Sequence, residues 1–324
     1  MNVFQYKWLL ILIMTCMAGW GAIKLYYELT GGFTVGTITS DLSYDPRWET
    51  PLLSIKQQEQ VDRALSQSYS YLARGCQSYV FISQDGNYVI KFFKFQHFRP
   101  KYWISLLNFI PFVKEYEERN RAKKKKLLET SFKSLEIAFN SLRDETGVIF
   151  LHLNKTNDWK RTIMIQDKLG LSHELDLGQL EFVVQRHAEN IVSSIEHMME
   201  AHQEIEAKQL IDRLLAMLVS EYLRGFADND HALMQNTGVL DGYPVHIDVG
   251  QFIYNPIVKN PEVYKKEIFD KTFFFHQWLE KHYPELGSYL KDKLVSLIGP
   301  DYFLYPAYRH REGGIGKIPA VSNQ

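Results

Sequence analysis

Cysteine is nearly absent. The 324 residues hold two, Cys16 and Cys76, which leaves neither a disulfide framework nor a thiolate metal site to build on. Surplus charge is missing as well: 37 Lys and Arg face 38 Asp and Glu, a balance that gives no reason to expect a nucleic-acid partner. No internal repeat recurs along the chain. Other familiar ligand sites are lacking. His197 and His202 are five apart and share no zinc-binding helix face. Gly313-Gly314-Ile315-Gly316-Lys317 lacks Walker spacing. An EF-hand fails because Ala232 falls where a calcium ligand is required. What the length does permit is a large core, in one two-lobed domain or two small ones.

Only one long apolar run is present. From Trp8 to Ile23 there is no charge, and Lys24-Leu25-Tyr26-Tyr27 extends it to the roughly twenty residues a spanning helix needs. Trp8, Trp20, Tyr26 and Tyr27 suit the two membrane interfaces. The expectation is a single uncleaved anchor over residues 1–28, touching the bilayer through residues 8–27. A cleaved signal peptide is the rival, with only Lys7 as its charged region and no small-x-small site; a buried helix is the third reading. Lys7 and Lys24 nearly balance, so charge does not set orientation. Residues 29–56, with Gly31-Gly32 and a polar stretch from Thr37 to Pro51, read as a linker. Residues 98–113 are aromatic with basic flanks, and Lys123 to Lys126 is a basic run. Both are compatible with lipid contact, although packing and a solvated helix face are the commoner uses.

Residues 57–324 read as the folded domain. Tyr69–Ala73, Ser78–Ser83 and Tyr88–Phe93 alternate as short strands, with an Asp-Gly turn before the last. A helical period runs from Lys114 to Leu142. Gly147–Leu153 and Arg161–Gln166 read as strands, while Gln179–His187 and Ile191–Gly225 read as helices. A strand at Tyr243–Ile247 and a last helix at Phe269–His282 follow. The expected fold is α+β: a small antiparallel β lobe (57–166), then a helical lobe (167–324).

The chemistry concentrates late in the chain. Asp228-Asn229-Asp230 is followed by Asn236, and Asp248-Val249-Gly250 comes twelve positions after that. One acid placed to orient a hydroxyl, with two hard oxygen donors for Mg²⁺, is an arrangement for phosphoryl transfer. Upstream, Val89-Ile90-Lys91 sets an amine on a strand between apolar neighbours, and Gly75-Cys76-Gln77-Ser78 sits in the preceding strand connection.

Over residues 68–255 these motifs resemble the protein-kinase-like superfamily. The resemblance implies ATP and Mg²⁺ as cofactors, with Gly75 and Ser78 in a shortened Gly-rich loop over the phosphates. It implies Lys91 on the α/β-phosphates, paired with a carboxylate on the Lys114–Leu142 helix. Glu129 is the first choice for that carboxylate and Glu136 the second, seven residues away on the same face. Met164 to Lys168 resembles the hinge, so Gln166 and Lys168 would meet the adenine. Asp230 would orient or deprotonate the acceptor, with Asp228 as the alternative acid, and Asn236 and Asp248 would hold the metal. There are departures: one Gly where the loop has three, Asp228 in place of a His, five residues instead of four between Asp230 and Asn236, and no Ala-Pro-Glu among the 76 residues after Asp248. A lipid, small-molecule or atypical protein acceptor therefore ranks beside an ordinary protein substrate. The alternative class is a catalytically inactive pseudokinase acting as a membrane-tethered scaffold. An ATP-dependent enzyme would need its domain on the cytosolic side.

Overall fold

Every second side chain of Ser78–Ser83 is buried, with Tyr79, Phe81 and Ser83 inward, the period-two pattern of a strand with one covered face. With Tyr69–Arg74 (β1) on one side and Tyr88–Phe93 (β3) on the other, this strand (β2) forms an antiparallel meander in the computed structural model, which describes residues 3–50, 52–99 and 111–301. Tyr69 pairs with Ser83 and Val80 with Lys91, and a bulge interrupts β1 between Tyr71 and Ala73. Val148–His152 (β4), Thr162–Gln166 (β5), Ser172–Asp176 (β6) and Phe182–Arg186 (β7) complete a curled mixed sheet in the order β4-β7-β3-β2-β1-β5-β6. The β1–β5 pairing is parallel.

The chain divides into two compact units, residues 1–124 with 152–184, and residues 125–151 with 185–324. In the first, Val3–Thr30 (α1) is a single helix whose described side chains from Tyr6 to Leu29 are exposed. It is long and apolar enough over Tyr6–Thr30 to cross a membrane, by length and composition alone. The expected linker is not a free tether. Phe33 is 3% exposed and meets Tyr79 and Phe81 edge to face at 5.3 and 5.2 Å. Val35–Ile38 (α2) carries a Thr34 capping box and buries Ile38 completely. Ser40 donates to Glu181 at 2.5 Å, and Asp45 and Asn154 exchange two hydrogen bonds. Ile55–Leu65 (α3), capped by Ser54 and Gln57, buries Val61, Ala64 and Leu65.

Two expectations differ from what forms here. Residues 179–187 are largely strand β7, because a run as apolar as Phe182-Val183-Val184 with β-branched residues suits a strand buried on both faces. Thr162–Gln166 does not exit toward a helical lobe. It turns back on itself into β6, and the first unit continues to Val184. Gln166 pairs with Ser172 at the end of that hairpin, and Lys168 lies in its turn.

The second unit takes the C-terminal part of Pro111–Asn140 (α4), then the short helix Arg143–Thr146 (α5). Ile191–Glu200 (α6) and Glu204–Arg224 (α7) are two helices broken at His202, whose φ is +57°. The apolar stripe Leu210, Ile211, Leu214, Leu218 and Tyr222 is core, packed with Ile268, Phe275 and Leu279 of Pro261–His282 (α9) and with Leu290 and Leu294 of Pro284–Ile298 (α10). Each such buried side chain contributes about 1.5–3 kcal/mol. Helix α10 has no counterpart in the sequence reading. Two small sheets carry the loops of interest: Glu189–Asn190 (β8), Thr237–Leu240 (β10) and Tyr243–His246 (β11) in the order β11-β10-β8, and Phe226–Asp228 (β9) with Phe252–Tyr254 (β12). Helix α7 stops at Gly225, φ +93°, where an added Cβ would stand 2.9 Å from the Tyr254 ring.

Candidate functional site

Register in the second unit decides where the three oxygen donors sit. Thr237 faces His246 in the β10–β11 ladder, and the Ile247 amide extends it by donating to the Asn236 carbonyl at 2.8 Å. Asn236, the last residue of Leu233–Asn236 (α8), is thereby opposite Ile247, the residue that precedes Asp248 in the chain. On the other side, Phe252 pairs with Asp228, and the Asn229 amide donates to the Gln251 carbonyl at 3.2 Å. Gln251 Nε2 donates to Asp230 Oδ2, also at 3.2 Å. Asn236 is thus bonded to the residue before Asp248, and Asp230 to the residue after the Asp248–Gly250 turn.

Their environments differ. Asp248 is exposed, and its Oδ1 accepts from the Gly250 amide at 3.2 Å, which makes the turn. Asn236 is 8% exposed, and its Nδ2 has no partner from the chain. One face of that amide is therefore left for a group the protein itself does not supply. Asp230 is half-buried, with Oδ1 accepting from the Ala232 amide at 3.0 Å. A carboxylate has about four acceptor positions, so these two bonds orient Asp230 and leave capacity for an acceptor hydroxyl. An amide oxygen and a carboxylate are hard donors of the kind Mg²⁺ takes alongside phosphate oxygens and water. The residues fit that ion. Among the described residues no group of three or more His, Cys, Asp or Glu could hold a metal on its own.

Asp228 has another task. Its side chain is 2% exposed and pairs at 3.0 Å with Lys271 of α9, itself 3% exposed, while its Oδ1 accepts from the Asp230 amide at 3.0 Å. An acid enclosed and engaged in this way braces the loop and does not face an acceptor. His231 Nε2 donates across 3.1 Å to the carboxylate of Glu267, also on α9, and this hydrogen bond raises the His231 pKa above its ordinary value despite partial burial. Ser134 of α4 donates to the Val249 carbonyl at 2.5 Å and accepts from the Phe252 amide at 2.6 Å, clasping the turn that carries Asp248. His246 and Glu221 form a buried pair at 2.8 Å beneath β11. Gln185 donates to the carbonyls of Thr146 and His246 at 2.5 and 2.8 Å. These supporting residues escape motif reading. The available signal was the presence of Glu267 and Lys271 at helical spacing with Ile268, Phe275 and Leu279 on the buried side of α9.

The remaining candidates divide by unit. In the first, Gly75 donates to the Ser78 carbonyl at 2.9 Å and closes the β1–β2 turn, while Lys94 donates to the Gly75 carbonyl and lies 4.6 Å over the Tyr79 ring. Burial pulls the Lys94 pKa below its usual value. Lys91 is half-buried on β3, between Ile90 and Phe92, which are both fully buried. Gln166 is exposed, and Lys168 donates to the Glu28 carbonyl at 2.8 Å. Their place on a β-hairpin is not that of a hinge. Glu129 and Glu136 are half-buried on the part of α4 belonging to the second unit. Within the first unit the same helix buries Glu117, which pairs with Arg121 at 2.9 Å. Residues 100–110, part of the aromatic stretch named above, lie outside the described residues.

Among solved structures, the chain is similar to one of the bifunctional kinase-methyltransferase WbdD, 15% identical over 71% of this chain and 43% of that chain, with a TM-score of 0.32. A second, crystal structure of WbdD matches at 16% identity over 76% of this chain and 47% of that one, with a TM-score of 0.33. This is distant structural similarity, and the chain spans less than half the length of the proteins it matches. No protein-family model and no curated protein sequence matches it.

Proposed function

We propose that the chain is a membrane-anchored, kinase-like phosphotransferase that moves the γ-phosphoryl group of ATP to a hydroxyl acceptor. The observation that supports this reading is the pairing on both sides of the Asp248–Gly250 turn: Ile247 bonds the Asn236 carbonyl and Gln251 bonds Asp230. Asn236 Oδ1 and the Asp248 carboxylate would hold Mg²⁺, which supplies charge neutralisation on the phosphates when bound. Asp230, fixed by Gln251 and the Ala232 amide, orients the acceptor hydroxyl and takes its proton. The resemblance alone would assign Lys91 to the α/β-phosphates and Gly75 and Ser78 to the loop that covers them. Little covalent work falls to the protein; positioning and charge placement do most of it. The apolar stretch 8–27 serves as a single-pass anchor, with the folded part on the cytosolic, ATP-containing side.

A second reading, a pseudokinase scaffold, is favoured by one observation: the Gly75 turn is pinned by Lys94 and has no further glycines with which to follow a nucleotide. One titration separates the two. The full-length protein in detergent is melted with ATP, with and without Mg²⁺, and ATP turnover is then measured. Ligand at 100 times its Kd stabilises by about 2.7 kcal/mol. The enzyme shows Mg²⁺-dependent stabilisation that is lost in Asp248→Asn, and turnover that falls about 10²–10⁴-fold in Asp230→Asn. Metal-independent binding with no turnover supports the scaffold, and no nucleotide effect at all removes the enzyme.

A further inference from the structure

The end of α1 is clamped by cations and aromatic groups of the first unit. Lys168 donates to the Glu28 carbonyl at 2.8 Å, Arg74 to the Gly31 carbonyl at 3.2 Å, and Tyr79 Oη to the Gly32 carbonyl at 2.5 Å. These donors satisfy carbonyls that a helix end leaves open, and their charge suits the negative end of the helix dipole. Close approach is built in as well, since a Cβ at Gly31 would stand 2.7 Å from Tyr71 Oη. The helix is thus seated on the sheet and is not a loose tether.

Height above the membrane follows from this seating. If residues 8–27 fill the hydrocarbon core, Glu28 lies about one helical rise, 1.5 Å, beyond its edge. Lys168 contacts that residue, and the residues just after it form the tip of the β5–β6 hairpin. That tip is structured. Asp167 Oδ1 accepts from the amides of Leu169 and Leu171 at 2.9 and 3.0 Å, its Oδ2 bonds His173 at 2.9 Å, and Gly170 takes a φ of +80°. The ordered turn presents Leu169 and Leu171 outward, 49% and 57% exposed. Two leucines held out by a rigid turn next to a lysine, level with a bilayer's polar region of about 5–7 Å, make an interfacial contact.

We infer that the Asp167–Leu171 hairpin tip inserts Leu169 and Leu171 into the interfacial layer of the same bilayer, with Lys168 and Arg74 at the headgroups. The first unit is thereby docked on the membrane by two elements. The inference rests on α1 being a membrane anchor.

The test uses the full chain in phosphatidylcholine vesicles containing phosphatidylserine. Cys16 and Cys76 are replaced by Ser, and an environment-sensitive NBD dye is attached to Leu171→Cys. A Gln84→Cys control carries the dye at the β2–β3 turn, which lies at the opposite end of β1 from Arg74. Carbonate extraction is run on the same vesicles. The expected result is carbonate-resistant protein whose dye at 171 shifts to the blue, gains intensity severalfold and is quenched by lipids brominated near the headgroup, with none of this at 84. A water-like spectrum at 171 in carbonate-resistant vesicles overturns the hairpin contact and leaves the anchor standing. Release by carbonate overturns the anchor, and the contact with it.

Discussion

Replacing Lys271 with Met removes one half of an enclosed ion pair and tests how the loop bearing Asp230 is held. Lys271 and Asp228 are 3% and 2% exposed and 3.0 Å apart, and Lys271 also reaches the Asp228 carbonyl at 3.3 Å. Taking away one partner strands the other charge in a medium that solvates it poorly, a loss of about 3–5 kcal/mol. For a unit of this size that corresponds to a melting point lower by about 6–20 °C. Asp228→Asn keeps an oxygen for the Asp230 amide while removing the charge. The double variant Asp228→Asn/Lys271→Met should therefore regain stability over Lys271→Met alone, by about 1–3 kcal/mol in a double-mutant cycle. The four proteins are compared by urea denaturation of the detergent-solubilised chain, followed by circular dichroism at 222 nm, a wavelength dominated by helices such as those of the second unit. A Lys271→Met cost below about 1 kcal/mol, or a double variant no better than the single, would refute the account of a charge pair bracing the loop.

Ser134→Ala leaves the Val249 carbonyl and the Phe252 amide without their partner, at about 1–3 kcal/mol for each group so stranded. Denaturation should register that loss, and the Mg·ATP-dependent melting shift should shrink with it; unchanged values for both would show that the clasp is dispensable. His231 gives a pH signature. Its folded pKa is raised by Glu267, so its contribution to stability is complete below the unfolded value near 6.5 and is lost as pH rises through the higher folded value. Melting of the wild type should fall across that window, and His231→Gln should flatten the slope; identical slopes in the two proteins would rule the pair out as its source. Phe33→Ala should cost about 3–5 kcal/mol, since Phe33 is buried among Tyr79, Phe81 and His173. A loss below about 1 kcal/mol in the melt would return residues 29–56 to the status of a tether.

Local pattern was enough for strand β2 and for helix α7, because their periods of two and 3.6 coincide with what each buries. It failed where long-range contact decides. Phe33 and Ile38 sit in a stretch rich in Gly, Thr and Ser, whose composition says linker, and only the ring contacts with Tyr79 and Phe81 reveal that it is core. At 179–187 a short apolar run carried no period with which to choose strand over helix. At Met164–Lys168 the reading as a chain exit gave way to a pairing with Ser172–Asp176 that a polar strand such as Ser172-His173-Glu174 does not advertise.

The same limit explains the loop acids, and there a trace was available. Helix α9 buries Glu267, Ile268, Lys271, Thr272 and Phe275 on one side. Two charged residues inside an apolar stripe require partners, because an unpaired buried charge is among the costliest things a fold can hold. Their partners lie 43 and 36 positions earlier, at Asp228 and His231, on either side of Asp230. A helix serving only as core would place apolar residues at 267 and 271, and replacing such a pair with well-packed apolar groups is often stabilising. Glu267 and Lys271 therefore act on the loop more than on the core. They hold the loop before and after Asp230 by charge and leave the Asp230 carboxylate to Gln251 and the Ala232 amide. Two aspartates only two residues apart end in different surroundings, one enclosed against a lysine and one half-buried at the loop surface. What separates them is the placement of a lysine on a distant helix.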